Sequence, residues 1–212
     1  MKEKNRGIAI LGSTGSGKTS ISIALAQEFG GEIISCDSMQ IYKGMPIGTA
    51  QPSPFESSQV PYHLVDEFDV NQPYSANIFL GLADAAVKKI RQGGKLPLLA
   101  GGTGMYASFF IYGFDHFPAD PQVREQLKCA HRAGEEEALL AELKLRDPAT
   151  YELHKLNWRR ALRALEICQI TGKTLEQSKI EQPPAIGEGF SQYVLMYSPE
   201  VLRQRKIGRA HV

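Results

Sequence analysis

The sequence predicts an α/β fold: a P-loop NTPase-like parallel sheet core carrying an inserted all-helical domain. Three observations predict it. The apolar run Ile8-Ala9-Ile10-Leu11 leads into Gly12-Ser13-Thr14-Gly15-Ser16-Gly17-Lys18-Thr19 and then into a helical segment, the strand, G-x-x-x-x-G-K-T, helix order of a phosphate-binding loop. Further short apolar runs alternate with helical stretches stopped by glycine pairs. From Pro121 to about Lys179 the chain instead turns charge-rich and helical, with no strand signal.

The elements follow in order. A strand over Gly7–Leu11 enters the glycine-rich loop, and a helix over about Gly17–Phe29 ends at Gly30-Gly31. Glycines let consecutive N–H groups curl around an oxyanion, and the helix N-terminus adds partial positive charge. Lys18 supplies an ammonium for an outer phosphate, and the Thr19 hydroxyl suits Mg²⁺. Gly12 to Thr19 therefore predicts a bound di- or triphosphate, without saying what is done with it. A second strand, Glu32–Cys36, delivers Asp37-Ser38-Met39-Gln40 to the C-terminal edge of the sheet, where ligands bind in parallel sheets. At that edge Asp37 reads equally as a metal-associated carboxylate or as a general base. Residues 41–54 read as a loop, and Pro61–Asp66 as a short extended piece whose His63 is a structural hydrogen bonder. A helix capped by Ser75 runs to about Gln92. Strand Leu96–Ala100 then enters a second glycine-rich turn, Gly101–Tyr106, where Thr103 offers a hydroxyl to a phosphate or a nucleophile.

The insertion divides into helices starting at Asp120-Pro121, Glu135, Asp147-Pro148 and Asn157. Arg159, Arg160 and Arg163 gather around Trp158 near Lys155. Composition alone makes this an ordinary solvated face; the functional reading is a phosphate-contacting patch. Pro183-Pro184 and Gly187–Gly189 read as a linker, Tyr193–Tyr197 as a strand rejoining the sheet, and Pro199 as the start of a helix that has barely begun. The domains read as core 1–117, insertion 118–182 and return to the core 183–212.

Composition sets bounds. The 212 residues suffice for one α/β core with an inserted unit, and 24 basic against 23 acidic residues leave a formal charge of +1. Nucleic-acid contact must then come from local patches. Cys36, Cys129 and Cys168 lack metal or disulfide spacing, which suggests a reducing compartment. No apolar run approaches membrane-spanning length and no signal-peptide pattern is present, so a cytoplasmic protein is expected.

The phosphate loop stands together with Asp37-Ser38-Met39-Gln40-Ile41-Tyr42-Lys43-Gly44 and Ile47-Gly48-Thr49-Ala50, with Pro61–Asp66, Tyr74-Ser75-Ala76, Gly101–Tyr106 and Arg160–Glu166. This series, from about Gly7 to Arg205, closely resembles the tRNA dimethylallyltransferases, also called tRNA isopentenyltransferases. The D-S-x-Q-x-Y stretch is far more specific than the phosphate loop. The resemblance implies transfer of a dimethylallyl group from dimethylallyl diphosphate to N6 of adenine 37 in the anticodon stem-loop of tRNA. It implies that Gly12, Ser13, Thr14, Gly15, Ser16, Gly17, Lys18 and Thr19 hold the diphosphate, with Mg²⁺ on Thr19. Asp37 then acts as the base, with Thr103 and Lys18 also catalytic. Asp37, Ser38, Met39, Gln40, Thr103, Arg124, Arg159, Arg160 and Arg163 match tRNA-contacting positions, so the insertion becomes a tRNA-binding domain and the protein a monomer. The family pattern continues well beyond Arg205; Ile207–Val212 fits none of it and is expected to be foreign, adapter-derived sequence on a C-terminally truncated chain. Rival readings are an adenylate isopentenyltransferase, a P-loop small-molecule kinase and a noncatalytic binding protein. The D-S-x-Q-x-Y block discriminates against the kinase, and the arginine-bearing insertion against the adenylate enzyme.

Overall fold

The computed structural model describes residues 6–113, 117–179 and 185–209. Strands β1 (Gly7–Gly12), β2 (Gly31–Ser35), β3 (Tyr62–His63), β4 (Leu96–Gly101) and β5 (Phe190–Leu195) form a parallel sheet in the order β3-β2-β4-β1-β5. The central strands are near-continuous apolar runs because a parallel sheet is covered on both faces. Ile10, Ile33, Ile34, Leu98 and Leu99 are all essentially inaccessible.

Helix α1 (Lys18–Phe29) packs Ile23 and Ala26 against Ile10, Ile33 and Leu98 on one face of the sheet. Between β2 and β3 lie two short helices, α2 (Pro46–Thr49), inside the stretch that reads from sequence as loop, and α3 (Pro54–Gln59), which starts at its last residue. Their prolines stand at the first helical turn, where a missing N–H costs nothing. Helix α4 (Ala76–Gln92) is capped by Ser75, whose hydroxyl accepts from Ile78 N–H, and buries Phe79, Ala83, Val87 and Ile90. Helix α5 (Gly104–Tyr112) follows β4 directly. His63 is the structural hydrogen bonder expected: its Nε2 lies 2.6 Å from the Glu32 carboxylate on the neighbouring strand.

The returning strand begins three residues earlier than the apolar run suggests, at Phe190, whose ring packs on Phe110 and against Gly7. It is an edge strand, and Tyr193 and Val194 remain exposed. Helix α10 (Pro199–Arg209) is longer than the sequence reading allowed. Of the segment expected to be foreign, Ala210, His211 and Val212 lie outside the described residues, as do Pro183 and Pro184 of the linker.

The chain divides into two compact units, one of Met1–Gly113 with Pro184–Val212 and the other Phe114–Pro183. The second unit contains α6 (Pro121–Arg132), α7 (Glu136–Arg146), α8 (Pro148–His154) and α9 (Trp158–Thr171) around Leu127, Leu143, Ala161, Ala164, Leu165 and Cys168. Asp120, Asp147 and Asn157 cap α6, α8 and α9 through their side-chain oxygens. Asp147 is buried and also accepts from Leu175 N–H, joining the start of α8 to the turn after α9. Burial pushes its carboxyl up, but the backbone donors Thr150 and Leu175 outweigh this and hold it below the ordinary range.

Candidate active site

Sheet geometry gathers the site at the C-terminal ends of β1, β2 and β4. A cleft of about 600 Å³ is lined there by Thr14, Gly15, Lys18, Thr19, Asp37 and Gln40, with Ala50, Tyr62 and Gly102 among the further lining residues. Helix α1 opens onto it from a left-handed Gly17 (φ 84°), a conformation that residues bearing a Cβ adopt at a cost of roughly 1–2 kcal/mol. No side chain caps this helix and its first turn holds no acid. The orphan N–H groups and the positive end of the helix dipole therefore face the cleft unneutralised, which is an anion site. The Ser16 hydroxyl is buried beside them without a hydrogen-bond partner among the described residues. Lys18 Nζ donates to Ser13 O at 2.8 Å, folding the ammonium back over the loop.

Arg205 is the residue that motif reading missed. It comes from α10, 190 residues along the chain, with Nη1 3.4 Å from Gly15 O. The sequence reading took Arg205 merely as the end of the family pattern; tertiary contact places a second cation over the phosphate loop.

Asp37 leaves the end of β2 in a tight turn in which its Oδ1 accepts from Met39 N–H at 2.9 Å. The turn is braced from β4. Thr103 Oγ1 accepts from Ser38 N–H at 3.1 Å, and Thr103 N–H donates to Cys36 O at 3.2 Å. Gly101 makes this approach possible, because a Cβ there would overlap the Cys36 carbonyl.

The titratable groups around the cleft differ sharply in what remains available to them. Burial, with the Asp37 charge adding to it, pushes the Cys36 thiol far above its ordinary range, so it is no nucleophile. Burial and then the Glu56 charge push the Tyr62 phenol up to about 12, so it stays neutral. Glu56 spends its carboxylate on the Ser53 N–H at 2.7 Å and the Ser53 hydroxyl at 2.9 Å, as the capping box of α3. Lys18 and Arg205 are cations. Asp37 lines the same cleft with its carboxylate.

Gln40 also lines the cleft, but its amide is engaged within the protein. Its Oε1 accepts from Ser35 Oγ–H and its Nε2 donates to Ala50 O, each at 2.8 Å. Ser38 is half-buried and Met39 is exposed.

Within the helical unit, Arg124 and Arg163 converge on Glu166, which is only 1% exposed. Arg159 lies over the Trp158 ring, 5.0 Å from its centroid, and Trp158 meets His131 edge-on at 4.3 Å. Arg124 and Arg163 thus hold a buried carboxylate, Arg124 while remaining exposed itself, and Arg159 and Arg160 are exposed.

As for metals, no group of three or more His, Cys, Asp or Glu side chains suited to an ion occurs among the described residues. Mg²⁺ does not require one, because it is commonly held by one or two protein oxygens, water and phosphate. Thr19 in the first turn of α1 and Asp37 across the cleft fit that pattern.

Fold and site together define a phosphate-loop α/β protein in which an uncapped helix N-terminus and a carboxylate share one cleft. The sequence profile of the IPP transferase family matches residues 40–211, and that of isopentenyl transferase matches residues 6–71. A tRNA dimethylallyltransferase from Roseiflexus sp. (strain RS-1) is 42% identical over 180 residues, which are 84% of this chain and 59% of that protein. The crystal structure of a tRNA isopentenylpyrophosphate transferase from Bacillus halodurans superposes with TM-score 0.64 at 35% identity, covering 98% of this chain and 65% of that one. A eukaryotic dimethylallyltransferase captured acting on tRNA superposes with TM-score 0.84 at 30% identity, covering 98% of this chain and 52% of that one. The chain belongs to the IPP transferase family, and it spans under two thirds of the length of these relatives. Among the described residues no helix is long and apolar enough to cross a membrane.

Proposed function

We propose that this chain carries the donor-binding and reacting groups of a tRNA dimethylallyltransferase. One observation carries the reading: a single cleft joins an uncapped helix N-terminus, Lys18 and Thr19 to Asp37. Dimethylallyl diphosphate would place its diphosphate on Gly12 to Thr19. The allylic C1–O bond breaks as negative charge moves onto the departing diphosphate, where the loop amides, Lys18 and Arg205 stabilise it. Mg²⁺ held at Thr19 would supply further charge neutralisation there. The bond formed is from N6 of adenine 37 to C1. That nitrogen is a poor nucleophile, since its lone pair is delocalised into the ring, and Asp37 takes its proton as the new bond forms. Thr103 holds the Asp37 turn through Ser38 N–H.

The target base must leave the anticodon-loop stack to reach such a site. Ser38 and Met39 lie next to Asp37 and would meet it. Arg159 and Arg160 are surface cations suited to tRNA phosphates. Arg124 and Arg163, tied to Glu166, would contact tRNA only with the part of each guanidinium left exposed. The proposal takes the protein to be a cytoplasmic monomer.

The test offers labelled dimethylallyl diphosphate and Mg²⁺ to the chain with tRNA, AMP or ATP. Label transferred to tRNA alone is expected. Label on AMP or ATP would make it an adenylate isopentenyltransferase, and phosphate transferred from ATP would make it a kinase.

A further inference from the structure

Segment 45–52 forms one wall of the cleft through Gly48, Thr49, Ala50 and Pro52, and its internal bonds, from Thr49 N–H and Oγ1–H to Met45 O, Ala50 N–H to Ile47 O and Gln51 N–H to Pro46 O, close only a single turn. Helix α2 is four residues long and has no buried residue. Ala50 sits in the left-handed region (φ 52°), a conformation costing a non-glycine residue roughly 1–2 kcal/mol and persisting only when its surroundings hold it.

Two glutamine side chains provide that hold, in opposite directions. Gln40 Nε2 donates to Ala50 O at 2.8 Å, while Gln40 Oε1 is fixed by the buried Ser35 hydroxyl at the end of β2. Gln51 Nε2 reaches back to Gln40 O at 2.8 Å and to Tyr42 O at 2.7 Å. Each amide thus bridges the wall to the segment leaving β2. The same cleft is lined by the apolar side chains of Ile33 and Ala100 and by the Tyr62 ring, whereas the phosphate loop offers N–H groups and cations.

We infer that Gln40 and Gln51 are positioning residues for the donor side of the cleft, and that Gln40 sets the wall beside the donor's hydrocarbon part and does not read the target base. The inference rests on the reading of the site as a dimethylallyl diphosphate site. It separates two roles that sequence position cannot. Gln40 adjoins the Asp37–Met39 stretch, but Gln51 does not, so a shared phenotype of the two isolates wall positioning.

The experiment uses Gln40→Met and Gln51→Met, which keep length and remove the hydrogen bonds. Calorimetry measures binding of dimethylallyl diphosphate, inorganic pyrophosphate and tRNA, and amide exchange follows Thr49, Ala50 and Gln51 in the free protein. Both variants are expected to weaken dimethylallyl diphosphate binding by about five- to tenfold, the order of one or two net hydrogen bonds. Pyrophosphate and tRNA binding should stay within about twofold, and amide exchange should rise in segment 45–52 but not at Lys18 and Thr19. Weaker tRNA binding by Gln40→Met with donor binding unchanged overturns the inference in favour of base reading. So does a Gln51→Met protein that binds the donor normally, or loss of pyrophosphate binding in either variant. If the unmodified chain binds dimethylallyl diphosphate no better than pyrophosphate, the reading of the site fails. The glutamine bridges are then decided by exchange alone, and unchanged exchange in both variants overturns them.

Discussion

Arg124 grips Glu166 through two parallel bonds, Nε to Oε2 and Nη2 to Oε1, both 3.0 Å, tying α6 to α9. Arg163 reaches the same carboxylate at 2.8 Å from one turn away. A buried carboxylate left without its partners is costly, so this trio stabilises the helical unit whatever else it does. Arg124→Ala should lower stability by roughly 1–3 kcal/mol in urea unfolding, since Arg163 and the Asp120 N–H still hold Glu166. Adding Arg163→Ala should cost more than the sum of the single changes.

Arg160 is exposed, and its role is separable from that trio. Arg160→Ala should leave the urea midpoint within about 0.5 kcal/mol of the parent, as surface changes usually do. It should weaken tRNA binding and reduce the slope of log affinity against log salt by about 0.7–0.9. An unchanged slope would remove Arg160 from the proposed tRNA surface.

Asp37→Asn retains an oxygen for the Met39 N–H but removes the carboxylate proposed as the proton acceptor. Turnover should fall roughly 10²–10⁴-fold, with pyrophosphate affinity within about threefold of the parent. Equal losses in both would assign Asp37 to the leaving group's charge instead.

Gly101→Ala tests the junction between the two glycine-rich turns. The added methyl would overlap the Cys36 carbonyl, so β4 and the Asp37 turn must separate. A loss of about 1–3 kcal/mol is expected from overpacking of this kind, with turnover falling more than pyrophosphate affinity. Thermal unfolding and steady-state kinetics read the two effects.

Glu32 makes stability pH-dependent. Burial raises its carboxyl, but hydrogen bonds and charge from Lys95 and His63 outweigh this and leave it below the ordinary range. A depressed carboxylate stabilises the fold fully above its unfolded value and loses that contribution as pH falls through the folded value. The stability gap between the parent and Glu32→Gln should therefore be constant near neutrality and shrink in acid, below the ordinary glutamate range. Denaturant unfolding across that range measures it. A gap that widens in acid would mean that the ion pairs do not hold β3 to β2.

The parts of the fold legible in sequence were those with local causes. The phosphate loop follows from glycine spacing, the start of α4 from Ser75, the insertion's helices from Asp120, Asp147 and Asn157, and the central strands from unbroken apolar runs. Helices α2 and α3 were not legible, because short helices among prolines carry no periodicity. The start of β5 was displaced because Phe190 is fixed by the Phe110 ring and by Gly7, far away in sequence.

By itself, then, the sequence determined a phosphate loop on a parallel α/β core, a carboxylate at the sheet edge and a helical insertion, because each is written in residues close together along the chain. Only the tertiary structure decided how those residues are used. It brought Arg205 to Gly15, turned Arg124 and Arg163 onto Glu166, braced Asp37 through Thr103, and committed the Gln40 amide to Ser35 and Ala50. The physical reason is that hydrogen bonds and ion pairs are short-ranged and directional. Which donor meets which acceptor depends on distances of about 3 Å that chain order does not encode.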